Sequence, residues 1–219
     1  MRVIFCCGYY PDRAHKQLKP RTEDYWNAYF YVWAVKVGKF RKNFYILTPN
    51  RLNITNGNFS LVRKTFGNWA SEQLPKLSKP PPTLVPVPSK DGLAGKGSYR
   101  SLQMATETFK ETPYADQVLD GLRWKKEAQK AHEGGSRKRA DLLPLLEASA
   151  SMKGKRVVLV DDLFSTGGSL LAASDRLSAA GAEVVGAITC GRTIYDFKTA
   201  PFGTHEFELT KELSDWPGQ

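Results

Sequence analysis

Cysteine and histidine are scarce in this chain, with three residues of each type among 219. Cys6 and Cys7 are adjacent and Cys190 is distant, so the sequence has neither a multi-disulfide framework nor the paired CxxC spacing of a zinc site. The histidines also lack HxxxH and HxH spacing. We therefore expect the cysteines to be small buried residues, and we do not expect a transition-metal enzyme.

Long apolar runs are missing as well. No stretch approaches the roughly 20 residues that cross a bilayer, and residues 1–7 do not resemble a signal peptide. Hydrophobic residues make up 41% of the chain and charged residues 25%, which is typical of globular proteins. We expect a soluble, cytoplasmic protein with no membrane partner.

Acidic residues are few in the first half of the chain. Residues 1–110 contain 18 Lys or Arg and 6 Asp or Glu, a balance of +12, whereas residues 111–219 contain 14 and 16, a balance of −2. This asymmetry suits a polyanionic partner, either nucleic acid or a phosphorylated small molecule. It is equally compatible with a solvated basic surface.

Strand-like and helix-like segments alternate, which predicts an α/β fold with a mostly parallel central sheet flanked by helices. Strands are predicted at 2–7, 43–47, 83–88, 157–160 and 183–190, and helices at 22–37, 98–111, 136–148 and 170–180. Three consecutive prolines at 80–82 indicate a stiff connector. We therefore divide the chain into a basic, aromatic-rich α/β element at 1–82 and a core with a C-terminal tail at 83–219.

The segment between the strand at 157–160 and the following helix carries the strongest chemical signal. It contains two acids, a run of hydroxyl residues and two glycines: Asp161, Asp162, Ser165, Thr166, Gly167, Gly168 and Ser169. Glycines allow the backbone to approach a ligand closely, and a helix N-terminus favours a phosphate. The adjacent carboxylates need hydrogen-bond donors, which the hydroxyls of a sugar would supply. The segment lacks the lysine of a Walker loop.

Residues 157–169 closely resemble the motif with which type I phosphoribosyltransferases bind phosphoribosyl pyrophosphate (PRPP). The resemblance implies the type I phosphoribosyltransferase-like fold, with an N-terminal hood or accessory element. By this resemblance Asp161 and Asp162 are catalytic, hold the ribose hydroxyls and contact Mg²⁺ indirectly through Mg-PRPP. The resemblance assigns the 5-phosphate to a group of five loop residues: Ser165, Thr166, Gly167, Gly168 and Ser169.

A second likeness extends over residues 83–192 and points to the C-terminal domain of the competence protein ComF family. It rests on residues 85–90 and 100–103, and on Leu122, Arg123, Gln129 and Arg137. In type I phosphoribosyltransferases the loop after the equivalent strand binds pyrophosphate, which implies that role for Ser89 and Lys90 and makes Lys90 a catalytic candidate. The N-terminal zinc-binding cysteines of ComF proteins are absent, and residues 1–80 resemble no family that we recognise.

Residues 123–139 contain seven Lys or Arg and two Glu. By the same resemblance this interval is a mobile catalytic loop that closes over pyrophosphate. The alternatives are a solvated basic loop and a nucleic-acid contact in which Trp124 stacks on a base. For the acceptor, the resemblance implies a variable hood, formed by the N-terminal element or by the tail after Cys190. Arg192, Tyr195 and Phe197 are candidates there, and packing in the core is an equal alternative for the two aromatic residues.

The sequence thus supports two hypotheses of different kinds. The first is a Mg²⁺-dependent phosphoribosyltransferase of nucleotide metabolism that transfers phosphoribosyl between PRPP and a nitrogenous acceptor with pyrophosphate exchange. The second is a non-catalytic sensor or effector that binds PRPP or a ribose-5-phosphate-containing nucleotide. That protein would act with nucleic acid or a protein partner through the basic N-terminal half, as in ComF-like DNA uptake or phage defence. Either hypothesis is compatible with an oligomer.

Overall fold

The fold was analysed in a computed structural model that describes residues 1–47, 51–126 and 138–214. The strands are β1 Arg2–Tyr9, β2 Phe44–Ile46, β3 Leu52–Ile54, β4 Thr83–Pro86, β5 Leu122–Trp124, β6 Leu146–Ala148, β7 Arg156–Phe164, β8 Glu183–Thr193 and β9 Phe202–Glu208. The helices are α1 Asp12–Gln17, α2 Glu23–Val37, α3 Leu61–Leu77, α4 Arg100–Phe109, α5 Arg139–Leu142 and α6 Gly168–Ala179. Within these described ranges, no helix has the length and apolarity that a membrane crossing requires.

The central sheet has the strand order β4-β7-β8-β1-β9. The first four strands in that order run parallel, and β9 is antiparallel to β1. Continuous apolar sequences such as residues 157–160 form strands that are buried on both faces, because helices cover each side of a parallel sheet. The predicted α/β fold with a mostly parallel sheet is therefore confirmed.

Strand β1 lies between β8 and β9, in the same sheet as β4 and β7. The first 82 residues therefore contribute a strand to the central sheet as well as the helices α1 to α3. The division of the chain at residue 82 remains a prediction.

Helix α2 crosses the ends of three parallel strands. It makes one contact per strand: Tyr29 stacks on Tyr9 of β1, Val32 approaches Gly191 of β8, and Lys36 pairs with Asp162 of β7. Residues spaced by three and four share one helix face. Seven residues of helix rise about 10.5 Å, close to the roughly 9.6 Å across two strand spacings. A Cβ at Gly191 would lie 2.9 Å from Cγ2 of Val32, so glycine permits this close crossing.

The helix predicted at 136–148 is wrong over its second half. The chain forms the short helix α5, a 3-10 turn at Leu143–Leu145 and then strand β6, which pairs with β5. Pro144 lacks the N–H that a continuing helix would need. Pairing with β5 satisfies the backbone of β6 in place of helical hydrogen bonds.

Candidate functional site

The carboxyl ends of β4 and β7 meet at one edge of the sheet, where they border a cavity of about 320 Å³. The cavity is lined by most of the predicted residues: Ser89, Lys90, Asp161, Asp162, Ser165, Thr166, Gly167 and Ser169. Gly168 lies just behind them, where its N–H donates to Oγ1 of Thr166 at 3.3 Å. The fold therefore places the predicted ribose, phosphate and pyrophosphate residues around a single cavity.

Asp161 and Asp162 occupy consecutive positions of β7, so their side chains leave opposite faces of the strand. Asp162 is 6% exposed, and its Oδ1 accepts a hydrogen bond from Nζ of Lys36 at 2.8 Å. Asp161 accepts from the backbone N–H of Asp162 at 2.8 Å. Burial, together with the neighbouring charge of Asp162, raises the pKa of Asp161 to about 8. The pair thus combines an ion-paired carboxylate with a carboxyl group that binds a proton readily.

The predicted phosphate loop, residues 165–169, connects β7 to α6. Gly167 adopts a left-handed backbone with φ of 81°, and a Cβ there would lie 2.6 Å from Cδ1 of Leu209. The Leu213 N–H donates to the Thr166 carbonyl at 2.9 Å, so the C-terminal segment packs behind the loop. The Ser165 hydroxyl is 2.7 Å from Oγ1 of Thr193, at the end of β8. The start of α6 borders the cavity through Gly167, Ser169 and Leu170, and a helix N-terminus favours a phosphate.

The predicted pyrophosphate turn is anchored to α4. The Ser89 N–H donates to Oγ of Ser101 at 2.8 Å, and the Ser89 hydroxyl donates to Oδ1 of Asp91 at 2.6 Å. Asp91 also accepts from the Arg100 N–H at 2.9 Å. These bonds fix the turn at the edge of the cavity, which Ser89 and Lys90 both line.

Trp124 supports the same turn from below. Its indole N–H donates to the carbonyls of Pro88 and Ser89 at 3.0 and 3.1 Å, and the side chain is 5% exposed. The alternative in which Trp124 stacks on nucleic acid is therefore wrong. The Arg123 guanidinium also donates its hydrogen bonds within the protein, to Asp120 and to three backbone carbonyls. The rest of the predicted catalytic loop, including Gln129 and Arg137, lies largely at 127–137, outside the described residues.

Four further polar residues line this cavity and were not individually assigned to it from the sequence. They are Lys36, Arg100, Ser101 and Trp124. The role of Lys36 could not be predicted from the sequence, because it is a single charge near the end of a helix that lies far from the motif in sequence. Arg100 and Ser101 were noted for the family likeness without a role. Lys36, Lys90 and Arg100 place three cations in the lining of the cavity that also holds the two acids, which suits a ligand rich in phosphate.

The three residues considered as contacts for the acceptor do not line this cavity. Phe197 stacks on Tyr25 with ring centroids 4.4 Å apart, and Tyr195 packs against the same aromatic cluster. The Arg192 guanidinium lies 3.9 Å from the centroid of the Phe207 ring, and burial lowers the pKa of this arginine. None of the three candidates is among the described residues that line the cavity.

The cavity offers hard oxygen donors, namely two carboxylates and several hydroxyls. Mg²⁺ prefers one or two carboxylates together with phosphate oxygens and water. The residues present therefore fit a Mg²⁺ ion that is carried in with a phosphorylated ligand.

Comparison with known proteins agrees with this geometry. Residues 92–193 match the family model of the phosphoribosyl transferase domain. An adenine phosphoribosyltransferase of Gluconobacter oxydans is 55% identical over 42 residues, covering 19% of this chain and 24% of that protein. An orotate phosphoribosyltransferase of Staphylococcus saprophyticus is 51% identical over 71 residues, covering 30% and 35%. These alignments thus span about a quarter to a third of the relatives' length.

Alignments to solved structures cover much of the chain at low identity and low TM-score. The orotate phosphoribosyltransferase of Mycobacterium tuberculosis aligns over 76% of this chain and 84% of its own, with 19% identity and a TM-score of 0.38. The adenine phosphoribosyltransferase of Leishmania donovani aligns over 74% and 79%, with 17% identity and a TM-score of 0.35. The ComF likeness remains a prediction. The matched residues 92–193 contain the acid pair and the predicted phosphate loop, so this part of the chain is similar to the phosphoribosyl transferase domain.

Proposed function

We propose that this protein is a Mg²⁺-dependent phosphoribosyltransferase that binds PRPP and transfers its phosphoribosyl group to a nitrogenous acceptor. One observation carries the proposal: a single cavity is bordered by the acid pair, the phosphate loop and the turn at Ser89 and Lys90. These three parts match the three parts of PRPP, which are a ribose, a 5-phosphate and a pyrophosphate. The adenine and orotate enzymes that the chain resembles make purine and pyrimidine bases the first acceptors to assay.

The chemical barrier is the departure of pyrophosphate from a sugar that develops oxocarbenium character. Such a reaction gains most from holding the ribose and stabilising the leaving charge, so a dedicated proton-transfer residue is not required. Asp161 and Asp162 would hold the ribose hydroxyls, and the loop at 165–169 would hold the 5-phosphate. Lys90, Arg100 and Lys36 would supply positive charge around the pyrophosphate.

Mg²⁺ would be held through the phosphates of PRPP, with Asp161 and Asp162 nearby to receive its water ligands. Bound there, the ion would supply charge neutralisation to the leaving pyrophosphate. For Asp162 to receive a ribose hydroxyl, its bond to Lys36 must be shared or exchanged, which would free the Lys36 ammonium for a phosphate oxygen.

The proposal is tested by calorimetry and by turnover. The parent should bind PRPP with Mg²⁺ and release pyrophosphate in the presence of one base from a purine and pyrimidine panel. The double variant Asp161→Asn with Asp162→Asn should lose at least about tenfold in PRPP affinity or turnover, because hydrogen bonds to charged groups contribute about 1.5 to 3 kcal/mol each.

Asp116→Asn, which alters an exposed acid outside the cavity, is the matched control and should behave as the parent. Equal PRPP affinity in the parent and the double variant would contradict the assignment of the acids. Binding by the parent without turnover for any base would favour the sensor or effector alternative.

A further inference from the structure

The three cysteines of the chain meet in the core on one face of the central sheet. The Cys6 Sγ lies 3.7 Å from that of Cys7 and 3.8 Å from that of Cys190, and all three sulfur atoms lie within 4.8 Å of one another. Among the described His, Cys, Asp and Glu residues, this is the one group of three or more arranged to hold a metal ion. No disulfide links them.

An irregularity in β1 creates this arrangement. Successive residues of a strand normally point to opposite faces, and residues 3 to 6 alternate between the two core clusters in that way. The pairing of β1 with β9 shifts between Phe5 and Cys7, and Cys7 then enters the same cluster as Cys6. Bulges redirect side chains in this manner, often beside functional sites. Two adjacent cysteines therefore share one face.

Cys190 completes the group from the neighbouring strand. The register pairs Phe5 with Thr189 and Cys7 with Gly191, which sets Cys190 beside Cys6. Zn–S bonds of about 2.3 Å at tetrahedral angles separate sulfur atoms by about 3.8 Å. Two of the sulfur separations match this value without any movement of the chain.

We propose that Cys6, Cys7 and Cys190 form a structural binding site for a soft, thiophilic cation such as Zn²⁺ or Cu⁺. Thiolate ligands select such ions over Mg²⁺, so the site is chemically separate from the oxygen-lined cavity. Binding replaces thiol protons with the cation and releases them to water, so affinity rises with pH and no electron is transferred.

The location of the site has two consequences. Cys7 and Cys190 are 0% exposed and Cys6 is 7% exposed, so loading and removal of the ion require local opening of the fold. We expect the ion to enter during folding and to exchange slowly with a chelator. The register also sets Cys190 beside Asp162, beneath α2, so a bound ion would stabilise the sheet under the proposed ribose site.

The test uses the full chain purified from medium supplemented with zinc. Mass spectrometry of the native protein should find one Zn²⁺ per chain, and the Cd²⁺-loaded protein should show a thiolate-to-metal charge-transfer band. Cys190→Ser and Cys7→Ser should each lower Zn²⁺ affinity by at least about tenfold. Met104→Leu is the matched control, since it removes a buried sulfur from the same hydrophobic cluster and should leave binding unchanged.

A second arm adds Cu⁺ under anaerobic conditions, to distinguish the two ions. If a serine variant fails to fold, metal binding by the parent protein alone tests the proposal. The proposal is overturned if the parent binds neither ion stoichiometrically and shows no charge-transfer band with Cd²⁺. It is also overturned if folded cysteine variants bind as much metal as the parent. The proposal does not depend on phosphoribosyl transfer, because PRPP binding and metal content are measured independently.

Discussion

Lys36 and Asp162, which are 126 residues apart in sequence, form an ion pair with Nζ 2.8 Å from Oδ1. Helix α2 carries Lys36 to the end of β7, where the Asp162 side chain is 9% exposed and needs a partner. The first segment of the chain therefore completes the electrostatics of a motif that lies in the last third.

Replacing Lys36 should reveal this contribution. Lys36→Met would leave the buried Asp162 carboxylate without its ammonium partner, and we expect a loss of about 1 kcal/mol in unfolding free energy. The loss is small because the Lys36 side chain is 37% exposed and its charge is partly screened. Urea denaturation measures it, with Lys39→Met on the exposed surface as the control. In a double-mutant cycle with Asp162→Asn, the changes in unfolding free energy of the two single variants should not add. Simple additivity would show that Lys36 and Asp162 are not coupled.

Asp161 should make stability depend on pH. The pKa of Asp161 is raised to about 8 in the folded state, whereas an unfolded aspartate has a pKa of about 3.9. Between these values the folded state binds a proton that the unfolded state does not, so stability falls as pH rises through this window. Asp161→Asn should remove this dependence of stability on pH, and the variant should be more stable than the parent above about pH 8. Denaturation series at acidic, neutral and alkaline pH test this, and parallel curves for the two proteins would refute it.

The serines of the phosphate loop should differ in importance. Ser169 lies in the first turn of α6 and lines the cavity, whereas the hydroxyl of Ser165 is bonded to Thr193. Ser169→Ala should weaken ribose 5-phosphate binding by about tenfold, the equivalent of one hydrogen bond to a charged group. Ser165→Ala should have a smaller effect. Calorimetry compares them with Ser178→Ala in the last turn of the same helix, and equal affinities for all variants would count against the phosphate site.

Trp124 should affect pyrophosphate binding through the turn that it supports. Trp124→Phe retains an aromatic ring but removes the N–H that holds the carbonyls of Pro88 and Ser89. We expect weaker pyrophosphate binding with ribose 5-phosphate binding nearly unchanged, as measured by calorimetry with each ligand. Trp69→Phe is the control, because its indole N–H donates to the exposed Thr204 hydroxyl. Equal loss for both ligands would instead indicate general damage to the fold.

The local sequence was sufficient to predict the elements whose conformation depends on residues close together in the chain. The apolar run at 157–160, the two acids and the glycine-rich loop together specify a buried strand, its polar end and a helix start within thirteen residues. Strand and helix periodicity likewise predicted β1, α2 and β8. The same reasoning failed at 136–148, because pairing with β5 competes with a helix and such pairing leaves little trace in local sequence.

The tertiary structure decided which distant residues meet. The register of β1 against β8 sets Cys6 beside Cys190, and the direction of α2 sets Lys36 beside Asp162. Neither pairing follows from spacing, because long-range contacts depend on strand order and helix crossing, to which every packed residue contributes. Sequence therefore determined the residue types of the loop at 165–169, whereas the fold determined which distant charges and thiols meet.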